Sequence, residues 1–227
     1  MLRTKPSTPS RQDSPLPRVS LANYIPTPRS GSVEGASENA STSPFPPVRF
    51  CHCSRIATDA DSFGVLEYIS GVILYHETLL DFQLGPVLSN RGIIPGVRAD
   101  TDAYPLPISP IEPATQGLDN LLPRLRAAAQ AGARFSKWRA PILCNSSTLP
   151  THAALEAQAE SLARFAAISQ QAGLVPIVEP DVDFAEDADL RRSVEVHIKA
   201  IGMIYARCAA YGVLLEGMRL LGVCCIR

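Results

Sequence analysis

The sequence predicts an α/β fold, a parallel sheet with intervening helices that curls towards a (β/α)8 barrel, and three observations carry the prediction. The first is a repeated unit. Gly132 closes a helical pattern and opens ARFSKWR, Gly173 opens LVPIVEPD, and Gly212 opens VLLEGM; each apolar run ends in charged residues, and the unit recurs about every forty residues. The second is a pair of continuous apolar runs of strand length, GVILYHET from Gly71 and GIIPGVRAD from Gly92, the pattern of parallel strands buried on both faces. The third is that strand and helix alternate through short connections without a glycine-rich phosphate fingerprint, which favours a barrel over a dinucleotide-binding sheet. A full barrel takes ~250 residues, and only about 160 here carry folded pattern, so the barrel is expected to be incomplete by roughly three strands.

Residues 1–47 are rich in Pro, Ser, Thr and Gly, have few large apolar residues and show no periodicity. They are expected to form a disordered low-complexity segment, with residues 48–227 as the folded domain. Early Arg and Lys residues, with Asp13 as the first acid, give the charge bias of an organelle transit peptide, but the prolines interrupt the amphipathic helix such peptides need. A dispensable tail in a cytoplasmic protein is the plainer account. Phe63 to Ile69 fits a short helix. The strand pattern from Gly71 ends in His76, Glu77 and Thr78, and the one from Gly92 ends in Arg98 and Asp100; Leu79 to Asn90 leaves room for one short helix between them. Tyr104 to Pro113 reads as a proline-rich loop. Thr115 and Asp119 offer N-caps to a helix with Leu118, Leu121, Leu122 and Leu125 on one face and Pro123 tolerated in its first turn. Thr151 starts a second helix bearing Leu155, Ala159, Leu162 and Ala166. A third begins near Asp187, with Leu190, Val194, Ile198, Ile201, Tyr205 and Cys208 on one face.

Of the 227 residues, 46% are hydrophobic and 19% are charged, enough for one sizeable core. A formal net charge of −1 supplies neither electrostatic steering nor counterion release, so no nucleic acid and no anionic membrane is expected as partner. No apolar run reaches the ~18 to 20 residues that cross a bilayer. Cys51, Cys53, Cys144, Cys208, Cys224 and Cys225 are scattered without a signal-peptide core upstream, which points to a reducing compartment rather than a disulfide framework. Cys51, His52 and Cys53 lack a second ligand pair at zinc-site spacing, and no metal site is expected.

In a barrel the carboxyl ends of the strands converge on one mouth, which would gather Glu77, Arg98, Lys137, Arg139, Glu179, Asp181 and Glu216. A lysine among carboxylates in a partly dry mouth can act as an amine nucleophile or an electrostatic partner, and a glutamate beside it can move protons. Arginines at the rim match phosphate oxygens with a planar fork. The competing account is that these are ordinary solvated or mutually paired charges; it fits any one of them better than it fits the set. His76 alone reads as a hydrogen-bonded packing residue, and Trp138 as a core or rim wedge.

Five collinear segments, GVILYHETL, TQGLDNLLPR, FSKWR, SLARFAAISQQAGLVPIVEPD and LLEGM, resemble class I fructose-bisphosphate aldolase in order and nearly in spacing, across about two thirds of the chain. The resemblance implies an incomplete (β/α)8 TIM barrel covering strands two to six. It also implies reversible cleavage of fructose 1,6-bisphosphate into dihydroxyacetone phosphate and glyceraldehyde 3-phosphate, in glycolysis and gluconeogenesis, through a lysine Schiff base and without metal or other cofactor. By motif, Lys137 matches the family's second active-site lysine, Glu179 its proton donor and acceptor, and Arg139 an arginine that contacts a substrate phosphate. Asp181 stands where the family usually has glutamate, and Arg98 where it has a lysine near the phosphate site. The Schiff-base lysine itself has no counterpart: its expected position is Leu221, and the lysines of the chain are Lys5, Lys137 and Lys199. The family's first strand and last two strands are likewise without counterparts. The chain alone is therefore expected to be inactive. Alternatives are a noncatalytic fragment that binds sugar phosphates or docks in a homo- or hetero-oligomer with aldolase subunits, and a mis-assembled gene model, which the change after Met218 to RLLGVCCIR would also produce.

Overall fold

The computed structural model describes residues 69–184 and 188–224. The segment 1–47, the run from Cys51 to Cys53 and most of the short helix expected from Phe63 lie outside the described residues. Strand β1 (Gly71–Leu74) leads into two short helices, α1 (His76–Leu80) and α2 (Leu84–Asn90), and then β2 (Ile94–Arg98). A hairpin of β3 (Ala103–Leu106) and β4 (Ser109–Thr115) precedes α3 (Leu121–Gln130) and the ten-residue β5 (Phe135–Cys144). There follow α4 (His152–Gln171), β6 (Val175–Phe184), α5 (Leu190–Ala210), a 3-10 turn (Leu215–Gly217), and the two-residue strands β7 (Arg219–Leu220) and β8 (Val223–Cys224).

The main sheet is parallel, in the order β1-β2-β5-β6-β7, with β8 continuing along the same edge of β6. Each new parallel strand is added beside the last and the order never reverses. That is the winding of a barrel wall and lacks the switch point of a doubly wound sheet. Among the described residues the sheet is open, with β1 at one edge and β7 and β8 at the other. Side chains alternate across each strand. One set, Val97, Trp138, Ala140 and Val178, packs into a core with Leu125, Leu162, Phe165 and Ile204 from the helices. Trp138 is fully buried, its ring centre 5.4 Å from that of Phe165, so it is a core residue and not a rim wedge. A smaller cluster, Ile142, Cys144, Leu155, Val182, Val196 and Ala200, lies further along β5 and β6, and Met203 packs against both.

The three turn glycines hold as expected: Gly132, Gly173 and Gly212 have φ of 102°, 78° and 68°, the left-handed values that end helices. Thr151 caps α4 by accepting a hydrogen bond from Ala154 N–H, and Asp189 caps α5 by accepting from Arg192 N–H.

Five expectations change, the first being the apolar face of α5: Leu190, Val194, Ile198 and Tyr205 are exposed, and Ser193, Val196, Ala200, Ile204 and Cys208 are the buried ones, one step around the helix from the expected stripe. The run from Gly71 stops as a strand at Leu74, and His76 and Glu77 begin α1, so two short helices rather than one fill the link to β2. Tyr104 to Pro113 is an antiparallel hairpin and not a loop; Pro105 faces Pro113, a pairing open to two prolines because residues opposite each other at a non-hydrogen-bonded site need no N–H. Helix α3 starts at Leu121, after Asn120 at φ 52° with no side-chain cap, so neither Thr115 nor Asp119 caps it and Leu118 lies before it. The VLLEGM run forms the 3-10 turn rather than a strand, and pairing with β6 begins only at Arg219.

Candidate active site

Parallel register decides which charges meet. Arg98 stands opposite Lys137 across β2 and β5, and Arg139 opposite Glu179 across β5 and β6, with Asp181 one pleat further on. Because alternation gives residues two apart the same face, Lys137, Arg139, Glu179 and Asp181 all leave the sheet on the side away from the helices. Lys137 Nζ forms an ion pair with Glu179 Oε2. Arg139 donates from Nε and Nη2 to Asp181 Oδ2, at 2.6 and 2.5 Å. Lys137, Glu179 and Asp181 are 8, 2 and 5% exposed. The two arginines keep guanidinium surface in solvent, about a third of each side chain.

Burial pushes the Glu179 carboxyl above the ordinary carboxylate range; the hydrogen bond and charge of Lys137 oppose the shift, Asp181 adds to it, and Arg139 opposes it weakly. A glutamate whose proton is so placed, beside a lysine and next to a second carboxylate, is suited to passing a proton back and forth. Asp181 Oδ1 is buried without a hydrogen-bond partner.

Arg98 is held through all three of its guanidinium nitrogens. Its Nε donates to Asp100 Oδ2 at 2.7 Å, Nη1 to the Tyr75 hydroxyl at 3.2 Å and Nη2 to the Thr101 carbonyl at 2.8 Å, and its guanidinium carbon lies 5.4 Å from the Tyr75 ring centre. These bonds outweigh its partial burial, and its pKa rises further above an already basic value.

Leu221 continues the edge register. Its N–H donates to Val178 O at 2.9 Å, as a residue paired with Glu179 must, between the rungs Val178↔Leu220 and Asp181↔Val223. A hydrocarbon side chain thus stands at the strand position beside Glu179.

Of the seven charges expected at one mouth, Arg98, Lys137, Arg139, Glu179 and Asp181 form one connected row. Glu77 and Glu216 do not join it: Glu77 is exposed in the first turn of α1 and Glu216 is exposed on the 3-10 turn. His76 is half-buried, its Nε2 has no hydrogen-bond partner, and burial together with the Arg124 charge holds its pKa below that of ordinary imidazole. Sequence reasoning passed over Tyr75, Asp100 and Thr115 as parts of this site. Asp100 was visible as a strand-end charge, but nothing in its spacing said that it would turn back onto both arginines. Among the described residues no cluster of histidine, cysteine and carboxylate side chains could hold a metal ion.

The family model for class-I fructose-bisphosphate aldolase matches residues 57–225. A probable fructose-bisphosphate aldolase class 1 of Xanthomonas campestris is 39% identical over 156 residues, which is 66% of this chain and 46% of that one. The fructose-bisphosphate aldolase of Schistosoma mansoni is 42% identical over 156 residues, 66% and 43% of the two chains. The solved aldolase of Plasmodium falciparum, determined in complex with TRAP and a small-molecule inhibitor, superposes with a TM-score of 0.71 at 33% identity over 78% of this chain and 52% of that one. The chain spans about half the length of the relatives it matches.

Proposed function

Because the chain belongs to the class-I fructose-bisphosphate aldolase family, we propose that its charged row is the sugar-phosphate site of that family's reaction, reversible cleavage of fructose 1,6-bisphosphate into two triose phosphates, and that this polypeptide alone binds the sugar without turning it over. Arg139 and Arg98 hold phosphate oxygens with their solvent-facing edges. Glu179 stands where the family's reaction gives and takes a proton as hydroxyl leaves and returns at the ketone carbon, a step this chain does not reach without the amine. Lys137 holds Glu179 in place, and Asp181 fixes the Arg139 fork. The family's covalent step needs an amine that attacks the ketone, loses water and becomes an iminium, which then accepts the electron pair of the breaking carbon–carbon bond. Leucine can do none of this. The observation that carries the reading is the register that sets Leu221 beside Glu179, with Lys137 and Arg139 on the neighbouring strand.

The test is cleavage of fructose 1,6-bisphosphate by the purified 227-residue chain, with borohydride trapping and intact mass on the same sample. Binding with no turnover and no adduct, in a folded sample, is the expected result. Turnover with an adduct would overturn the inactivity and make Lys137 the amine to map. Absence of any sugar-phosphate binding would remove the site assignment itself.

A further inference from the structure

We propose that Asp100 is a positioning residue that aligns both phosphate-facing arginines, Arg98 through its side chain and Arg139 through its main chain; the inference rests on the sugar-phosphate reading above. Strand β2 leaves β5 immediately after the rung Arg98↔Lys137, and the last backbone bond between them runs from Ala99 N–H to Lys137 O at 2.9 Å. In a parallel strand the N–H and C=O of one residue point to the same side. Arg139 therefore turns both groups into the gap that β2 vacates. Asp100 Oδ1 accepts its N–H at 3.3 Å and the Thr115 hydroxyl donates to its C=O at 3.0 Å, so two side chains replace the missing strand. The other oxygen of Asp100 accepts from Arg98 Nε at 2.7 Å.

The carboxylate is itself held in place. Its side chain is 3% exposed. The turn that carries it is fixed by Arg124, which donates to Ala99 O and Gly117 O at 3.0 Å each, and by Thr101 N–H donating to Gln116 O at 3.0 Å. These bonds secure the turn without using the Asp100 side chain. What the carboxylate adds is directed at the two arginines: it fixes the rotation of one guanidinium and the backbone of the β5 segment that bears the other. A fork ordered before the anion arrives gives up less freedom on binding.

The experiment uses the full chain, labelled with 15N, and the variants Asp100→Ala and Asp100→Asn, with inorganic phosphate and fructose 1,6-bisphosphate as probes. In wild type the Arg98 Nε–Hε signal and the Arg139 amide should resist solvent exchange. In Asp100→Ala both should exchange at least ~10-fold faster, and fructose 1,6-bisphosphate should bind about tenfold more weakly, with the Trp138 emission unchanged. Asparagine retains an amide oxygen for the Arg139 N–H but not the charge, so Asp100→Asn should restore Arg139 protection, leave Arg98 loosened and recover part of the affinity. A folded Asp100→Ala chain with both signals still protected overturns the proposal. Should that variant fail to fold, an unchanged Arg98 signal in Asp100→Asn overturns it equally. If wild type binds neither probe, the sugar-phosphate reading fails, and with it the function assigned to Asp100, while the exchange data still report whether the carboxylate orders the arginines.

Discussion

Glu179 and Lys137 are a buried pair in which neither member suits its place alone. Burial disfavours the carboxylate, the lysine restores part of the loss, and the net result is a carboxyl raised above its ordinary range. A carboxyl raised in the folded state binds its proton more readily folded than unfolded, so its ionisation lowers stability as pH climbs from the ordinary value through the raised one. Lys137→Met should therefore destabilise by about 3–5 kcal/mol near neutral pH, because a buried charge loses its partner, and the deficit should shrink as pH falls and Glu179 takes up its proton. Paired urea titrations of wild type and variant across a pH series measure this. A deficit independent of pH would show that Lys137 acts by packing and not by charge. Arg139 and Asp181 behave differently, since the guanidinium is partly exposed and stays charged: Asp181→Asn should weaken fructose 1,6-bisphosphate binding several-fold with little change in stability, as read by calorimetric titration and thermal melting.

The elements meet through small residues and buried acids that hydrophobic periodicity does not register. Gly85 in α2 approaches the last turn of α3 so closely that a Cβ there would lie 2.1 Å from Ala131 O, a backbone atom that cannot step aside. Gly85→Ala should cost about 1–3 kcal/mol or more by overpacking, seen as a lowered urea midpoint with an unchanged slope. Glu112, on the hairpin, accepts from both Thr151 N–H and the Thr151 hydroxyl at 2.7 Å, placing a carboxylate on the first turn of α4. Glu112→Ala should lose about 2 kcal/mol and fray that helix start, visible as faster amide exchange at Ala154. The same elements show how far sequence goes. Helix α4 was legible because Thr151 is a strong cap, its apolar stripe is regular and Gly173 stops it. The hairpin was not, because Pro105, Pro107, Pro110 and Pro113 argue against strands, and only the structure shows that Pro107 sits in the turn and that Pro105 and Pro113 face each other where no N–H is needed. The row from Lys137 to Asp181 was legible because strand alternation fixes a common face. Glu77 and Glu216 were misplaced because GVILYHET and VLLEGM give no local sign of where a strand yields to a helix or turn.

At the scale of the molecule, the sheet carries two apolar clusters that share β5 and β6, and the partition sets up a test of whether they fold together. Trp138, the one tryptophan of the chain, and Cys208 belong to the larger cluster, and Cys144 to the smaller. Both cysteines are buried, and burial pushes the Cys208 thiol up to about 11, so the thiolate that alkylating reagents attack is scarce at pH 8 in the folded chain. Met203 packs against both clusters and the β5–β6 ladder is unbroken over its ten rungs, a geometry that favours one cooperative unit over two. Alkylation of Cys144 and of Cys208, mapped by peptide mass across a urea series, should therefore rise at the same midpoint as the red shift of Trp138 emission. Labelling of Cys144 at clearly lower urea would mean that the carboxyl ends of β5 and β6, from Ile142 and Val182 onward, open as a separate unit beside Asp181. The candidate site would then border the less stable part of the sheet, and Asp181, next to Val182, would be the member that opens with it.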